Sequence, residues 1–166
     1  MGFDIYGVNP TNEHNGVYFR NNVWWWHPLW EYVCKECKDF LTETDMQKGG
    51  DNSGKKVSKT KALKIGKRLK SLIAADETVM HQISRADYIK NLPLEDCDIC
   101  DGTGYRKEPP LTGAGHKNCN ACNNEFKQDD VPVGKRKHWD TNYPFNVENV
   151  AEFAEFCLHS GGFKIW

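Results

Sequence analysis

The sequence contains no run of eighteen apolar residues, so no transmembrane helix is expected. Its N-terminus does not resemble a secretory signal peptide, so we expect a cytoplasmic protein whose cysteines stay reduced. It also lacks a P-loop, a nucleophile elbow and a motif of paired carboxylates. These absences count against the enzyme classes that depend on such motifs, and we expect a non-enzymatic protein.

Residues 55–70 contain basic residues but no acidic residue. The formal net charge is only −1, yet the stretch from Lys55 to Lys70 holds eight basic residues and no acidic residue. A basic helix face of this kind can neutralise the phosphates of a nucleic acid or a nucleotide, and Lys64, Lys67 and Arg68 are candidate contacts. The alternative is a solvated face that balances acidic helices elsewhere, such as residues 148–155.

Four cysteines form two close pairs, with the spacing CxxC, eighteen residues, CxxC. This spacing predicts that Cys97, Cys100, Cys119 and Cys122 supply four thiolates to one tetrahedral zinc ion. Because four cysteines leave no position for water, the zinc is expected to be structural. We predict a zinc module of the knuckle or ribbon type, inserted over residues 96–125. Its loop contains the turn-forming residues Gly102, Gly104, Pro109, Pro110, Gly113 and Gly115.

The other cysteines leave a second metal site open. Cys34 and Cys37 make a third CxxC pair, and Cys157 with His159 can complete a set of four ligands. On a helix, however, Cys34 and Cys37 lie one turn apart on the apolar side. The alternative is therefore a set of reduced thiols in the core.

Tryptophan is abundant and clustered. Six tryptophans occur in the chain, and Trp24, Trp25 and Trp26 are consecutive. Three successive indoles cannot all point into one core, so at least one should be partly exposed. Such a ring can stack on a base while Arg20 contacts a phosphate, which makes Arg20, Trp24 and Trp25 candidate ligand contacts. The alternatives are core packing and a hydrophobic hot spot for a protein partner.

The element pattern predicts an α+β fold in a single domain over residues 1–166, with the zinc module inserted. A β-hairpin is expected over residues 3–20, and a C-terminal strand over 163–166 can extend it. Three or four helices should cover this small, mostly antiparallel sheet. The first is expected at 28–41, the next follows the cap Ser58, and the last runs from the cap Asn146 to Gly161. The segment 47–56 is expected to be a loop.

Two short segments resemble known zinc proteins. Residues 97–104 fit the pattern CxxCxGxG and resemble the zinc repeats of DnaJ-type co-chaperones, which implies zinc ligation by the four cysteines. Residues 119–123 resemble the second knuckle of HNH nucleases, which implies a metal-dependent nuclease. That reaction needs an Asp-His pair between the knuckles, and this chain offers only His116, followed by Lys117.

The N-terminal segment resembles small phage proteins that begin with a similar strand. The residues concerned are Gly2 to Tyr6, followed by an aromatic and arginine segment and a tryptophan-rich helix. This resemblance implies a viral protein in the host cytoplasm that binds a host protein or a host signalling nucleotide. The leading interpretation is a zinc-stabilised binding protein for a phosphate-bearing ligand, and the alternative is a protein-binding inhibitor or adaptor.

Overall fold

A computed structural model of the protein describes residues 2–108, 116–126 and 130–166. The chain forms two compact units, one of Met1–Asp87 with Asn142–Trp166, and one of Tyr88–Thr141. The predicted α+β class is confirmed. The predicted zinc module falls within the second unit, and its segment 109–115, with Pro109, Pro110, Gly113 and Gly115, lies outside the described residues.

The first unit contains a four-stranded antiparallel sheet. Its strands, in sheet order, are β2 (Tyr18–Asn22), β1 (Gly2–Gly7), β6 (Phe163–Ile165) and β3 (Lys55–Val57). The predicted hairpin and its extension by the C-terminal strand are confirmed, because β1 pairs with β2 on one side and with β6 on the other. The two chain ends therefore lie at the centre of the sheet.

Five α-helices occur in the described residues. They are α1 (Val23–Glu36), α2 (Glu43–Gly49), α3 (Lys59–Ala74), α4 (Glu77–Lys90) and α5 (Val147–His159). Helices α3 and α5 begin at their predicted caps, since the Ser58 and Asn146 side chains accept hydrogen bonds from backbone amides in the first turn. No helix among them is both long enough and apolar enough to cross a membrane.

One face of the sheet carries the main hydrophobic core. The alternating strand residues Phe3, Ile5, Phe19, Val57, Phe163 and Ile165 are buried. They pack with α1 and α5 through ring contacts, such as Phe3 with Trp26 at 5.4 Å and Phe19 with Phe153 at 5.2 Å between centroids. Trp26 is fully buried and its indole N–H donates to the Gly49 carbonyl at 2.9 Å. The opposite face of the sheet therefore carries no part of this core.

Two predicted boundaries are wrong. Helix α1 begins at Val23, five residues before Pro28, because the Asn22 side chain accepts from the Trp25 amide and caps the helix there. The predicted loop 47–56 contains the end of α2 and the start of β3. Helix α2 forms because Thr42 and Asp45 make a reciprocal capping box, a local signal stronger than the following glycines.

The second unit contains a small antiparallel sheet of two strands. Strand β4 (Glu95–Asp96) pairs with β5 (Lys135–Arg136). Tyr105 and Asn118 form a further antiparallel bridge. A short 3-10 helix follows at Trp139–Asn142. These pairings bring Cys97 and Cys100 together with Cys119 and Cys122.

Candidate functional site

The four predicted zinc ligands form one buried cluster. The Sγ atoms of Cys97, Cys100, Cys119 and Cys122 all lie within 4.8 Å of one another. The Cys97 and Cys119 sulfurs are 3.9 Å apart, and those of Cys100 and Cys122 are 3.5 Å apart. A disulfide requires a sulfur separation of about 2.05 Å, so these are free thiols. Four sulfurs at about 2.3 Å from a tetrahedral ion stand about 3.8 Å apart, and the cluster fits that geometry.

Tight turns place the sulfurs. After the first pair, Gly102 and Gly104 adopt φ values of +78° and +79°, which L side chains rarely adopt, so the chain turns back towards its own cysteines. The Gly104 amide donates to the Cys100 sulfur at 3.2 Å. The Gly104 carbonyl accepts from the Cys119 amide at 2.8 Å, and this bond joins the two halves of the site.

The thiols of the cluster titrate unequally. Burial raises the pKa of Cys100, but the hydrogen bonds from the Gly104 amide and from neighbouring thiols outweigh it and bring the pKa to about 7. Burial and the neighbouring Cys100 raise the pKa of Cys122 to about 12. One thiolate therefore forms readily, and its negative charge disfavours the ionisation of the neighbouring thiols. A bound cation removes this opposition, because it is attracted to all four thiolates.

The other cysteines are not grouped for a metal. Among the described residues, the four-cysteine cluster is the only set of three or more His, Cys, Asp or Glu side chains close enough to share an ion. Burial raises the pKa of Cys34 and of Cys37 to about 12, and Cys157 is fully buried. The His159 ring lies 3.8 Å from the Glu155 carboxylate instead. These thiols belong to the core of the first unit.

Half of the basic residues at 55–70 have carboxylate partners. Lys55 and Lys61 bind Asp45, Lys70 binds Glu155, and Arg68 binds Asp39 at 3.1 Å. Arg68 also donates to the Glu36 carbonyl at 2.6 Å, and Lys64 lies 5.4 Å from the centre of the Phe40 ring. Lys67 is exposed. Much of the positive charge of α3 thus balances acidic residues of the first unit.

The consecutive tryptophans differ in their surroundings. Trp26 is buried, Trp25 is half-buried, and Trp24 is 36% exposed with its ring 5.2 Å from that of Tyr143. The predicted partner of these rings, Arg20, lies instead on the outer face of the sheet, beside Asp4 in β1.

The outer face of the sheet brings aromatic and basic side chains together. In its first row, the strand register places Tyr18 beside Tyr6, Tyr6 beside Lys164, and Lys164 beside Lys56. In its second row, Arg20 pairs with Asp4, and Asp4 exchanges two backbone hydrogen bonds with Trp166 at 2.7 and 2.9 Å. The rings of Tyr6, Tyr18 and Trp166 are 48%, 42% and 47% exposed.

The charges of this face are mostly positive. Asp4 is the one acidic side chain of the two rows, and it accepts from the Tyr18 hydroxyl and lies 3.6 Å from the Arg20 guanidinium. Lys56 and Lys164 make no ion pair with any residue that the structure describes, and the Lys164 amine lies 5.3 Å from the centre of the Trp166 ring. The face therefore offers two uncompensated ammonium groups next to exposed rings.

Comparisons of the chain with models of known families, with curated proteins and with solved structures find no match.

The sequence predicted the cysteine cluster and, on the outer face of the sheet, Arg20. The other residues of that face were not predicted, although the sequence contains part of the pattern that places them there. The alternation Phe163, Lys164, Ile165, Trp166 places Lys164 and Trp166 on the same side of a strand, and Asp4 and Tyr6 alternate in the same way in β1. Which strands are neighbours, and in which register, depends on pairing between the two ends of the chain.

Proposed function

We propose that the protein is a non-enzymatic binding protein for a phosphate-bearing ligand, stabilised by one structural zinc ion. Zinc is supported by the donor set, because four thiolates in a closed tetrahedral arrangement suit zinc and leave no site for a substrate. The proposal expects about one zinc per chain by mass spectrometry of metals. Cys100→Ser should lose this zinc, whereas Cys34→Ser, which removes a thiol outside the cluster, should keep it.

The observation that carries the binding function is the pair Lys56 and Lys164. Like charges directly opposite each other on neighbouring strands destabilise a sheet. Lys56 and Lys164 lie directly opposite each other on neighbouring strands, and neither forms an ion pair with a described carboxylate. The exposed rings of Tyr6 and Trp166 are nearby in the same two rows. An anion bound between the two lysines offsets the repulsion, and the rings supply flat surfaces for the bases of a nucleotide or a nucleic acid.

The test is calorimetry at low salt with oligonucleotides, nucleoside triphosphates and inorganic polyphosphate. We expect binding that weakens as salt rises, and a loss of most of the affinity in the double variant Lys56→Glu, Lys164→Glu. The matched variant Lys64→Glu, Lys67→Glu changes the same charge at two exposed lysines of α3 and should retain binding. If the α3 variant abolishes binding and the Lys56→Glu, Lys164→Glu variant retains it, the site lies on α3.

Failure of every phosphate compound to bind would refute the function and favour a protein partner. An interface centred on tryptophan would bind that partner with little dependence on salt, which separates the two classes in one titration.

A further inference from the structure

We infer that the ligand of the outer sheet face is single-stranded nucleic acid, with its bases stacked on Tyr6, Tyr18 and Trp166 and its phosphates contacted by Arg20, Lys56 and Lys164. This inference rests on the proposed function and names the ligand class of the same surface. The surface is exposed in the first unit, on the side of the sheet away from the hydrophobic core.

The rings provide two separate stacking positions. The Tyr6 and Tyr18 rings lie side by side with centroids 5.0 Å apart and form the first position. Trp166 forms the second, in the neighbouring row. Residues on the same face of a strand are two positions apart in sequence, so the two rows lie about 7 Å apart. Each stacking position can therefore take a different base.

The second position is held in place by the backbone beneath it. Gly54 has φ +76°, and a Cβ at this residue would lie 2.8 Å from the Trp166 ring. Glycine therefore allows the indole to lie close to the chain preceding β3. The first position is fixed in a similar way, because the Tyr18 hydroxyl donates to Asp4 in the adjacent row. Rings held before binding lose little conformational freedom on binding, which favours affinity.

The arrangement of rings and cations on this face favours a strand over a mononucleotide. Small ligands are held in concave sites that enclose most of their surface. A cavity of about 180 Å³ does occur in the first unit, but its lining residues, which include Tyr32, His81 and Phe145, belong to no strand of the sheet. A sheet face with two stacking positions, and with cations at both sides of them, instead suits a ligand that repeats its base and its phosphate.

The exposed rings also favour a single strand over a duplex. In a duplex the faces of the bases are covered by their neighbours, so flat aromatic side chains cannot stack on them. In a single strand the bases are free to stack, and contacts of this kind depend little on sequence. We therefore expect oligothymidylate and oligouridylate to bind, and a duplex of the same length to bind less tightly.

The experiment titrates the full chain, with its metal, with labelled oligothymidylate of about twelve nucleotides. Tyr6→Ala and Trp166→Ala should each weaken binding about tenfold or more. Trp24→Ala removes a half-exposed ring of α1 and should leave the affinity unchanged. Circular dichroism should show that all three variants keep the fold, because none of these rings belongs to the core.

The salt dependence provides a second, independent measurement. Each phosphate contact in a single strand contributes about 0.7 to the slope of log K against log salt. The double variant Lys56→Ala, Lys164→Ala should therefore lower the slope by about 1.4, whereas Lys64→Ala, Lys67→Ala should leave it unchanged.

The outcomes separate the two proposals. If a duplex or a mononucleotide binds as tightly as the single strand, or if Tyr6→Ala and Trp166→Ala bind normally, the single-strand inference is wrong while the phosphate-binding function stands. If no phosphate-bearing compound binds, the proposed function fails and the inference fails with it.

Discussion

Asp45 is the one buried charged residue among the described residues of the first unit, and it is 4% exposed. It accepts from the Thr42 amide at 3.0 Å and lies 2.7 Å from the Lys55 amine, and Lys61 approaches its other oxygen. Burial by itself raises the pKa of this carboxyl, but these partners outweigh burial and hold the pKa well below its usual range. One residue thus joins the start of α2 to β3 and α3.

Asp45→Asn should lower the free energy of unfolding by about 2 kcal/mol, because two partly buried ammonium groups lose their counter-charge. This figure is below the usual cost for a fully buried pair, since both lysines retain some contact with water. Asp51→Asn is the matched control, because Asp51 is half-exposed and its ion pair with Lys48, at 3.7 Å, is open to solvent. This variant should leave stability nearly unchanged. Urea denaturation measures both.

The same variant tests the pH dependence. The folded pKa of Asp45 is depressed, so its stabilising effect is complete above the unfolded pKa of about 3.9 and is lost as the pH falls through the folded pKa. Below about pH 4 the difference between the natural protein and Asp45→Asn should therefore shrink. A constant difference down to pH 2 would show that the carboxylate charge does not stabilise the fold.

At the scale of elements, the local signals and the addition of the C-terminal strand to the hairpin were predictable, and the register of that addition was not. Helices α3 and α5 follow from an apolar period and a capping residue close in sequence, and the structure confirms both. Helix α1 was placed too late because Pro28 suggested a start that the Asn22 cap overrides. The outer face of the sheet joins Tyr6 to Lys164 across the whole chain, so no local pattern gives its register.

The cysteine site was predictable because its spacing alone carries the chemistry. Two CxxC pairs imply one tetrahedral centre whatever the fold around them. The supporting contacts were not predictable. Gly134, for example, has φ +87°, and its carbonyl accepts from the Cys97 amide at 2.8 Å, but nothing in the residues around it indicates that partner.

Gly134→Ala should weaken metal binding about tenfold or more, since residues that orient metal ligands typically contribute this much. A Cβ at this position would lie 2.1 Å from the Gly102 carbonyl oxygen, so the turn after Cys100 or the start of β5 must move. Competition with a chromophoric chelator measures the affinity. Gly50→Ala is the control, because its Cβ would meet no atom closer than 3.5 Å. Equal affinity in the two variants would contradict the role of Gly134.

At the scale of the whole molecule, the two units differ in the residues that they bury. The large buried apolar side chains, including Trp26, Phe153 and Phe163, belong to the first unit. In the described part of the second unit, the buried cluster consists of the four cysteines themselves. Because the described residues of this unit form no further apolar cluster, we expect the unit to fold through a metal ion bound by the cysteines, which would contribute on the order of 10 kcal/mol at neutral pH.

Removal of the metal should therefore unfold the second unit and leave the first one folded. In the folded unit the amides of Cys97 and Cys119 donate hydrogen bonds to the Gly134 and Gly104 carbonyls. After treatment with a strong chelator, hydrogen exchange at these two amides should accelerate. The amides of β1 and β6 should stay protected, because their sheet is covered by the apolar core. Cys100→Ser should reproduce the effect without a chelator, and Cys34→Ser should not. Loss of protection in both units together would show that the metal stabilises the whole chain, and unchanged exchange in both would refute its structural role.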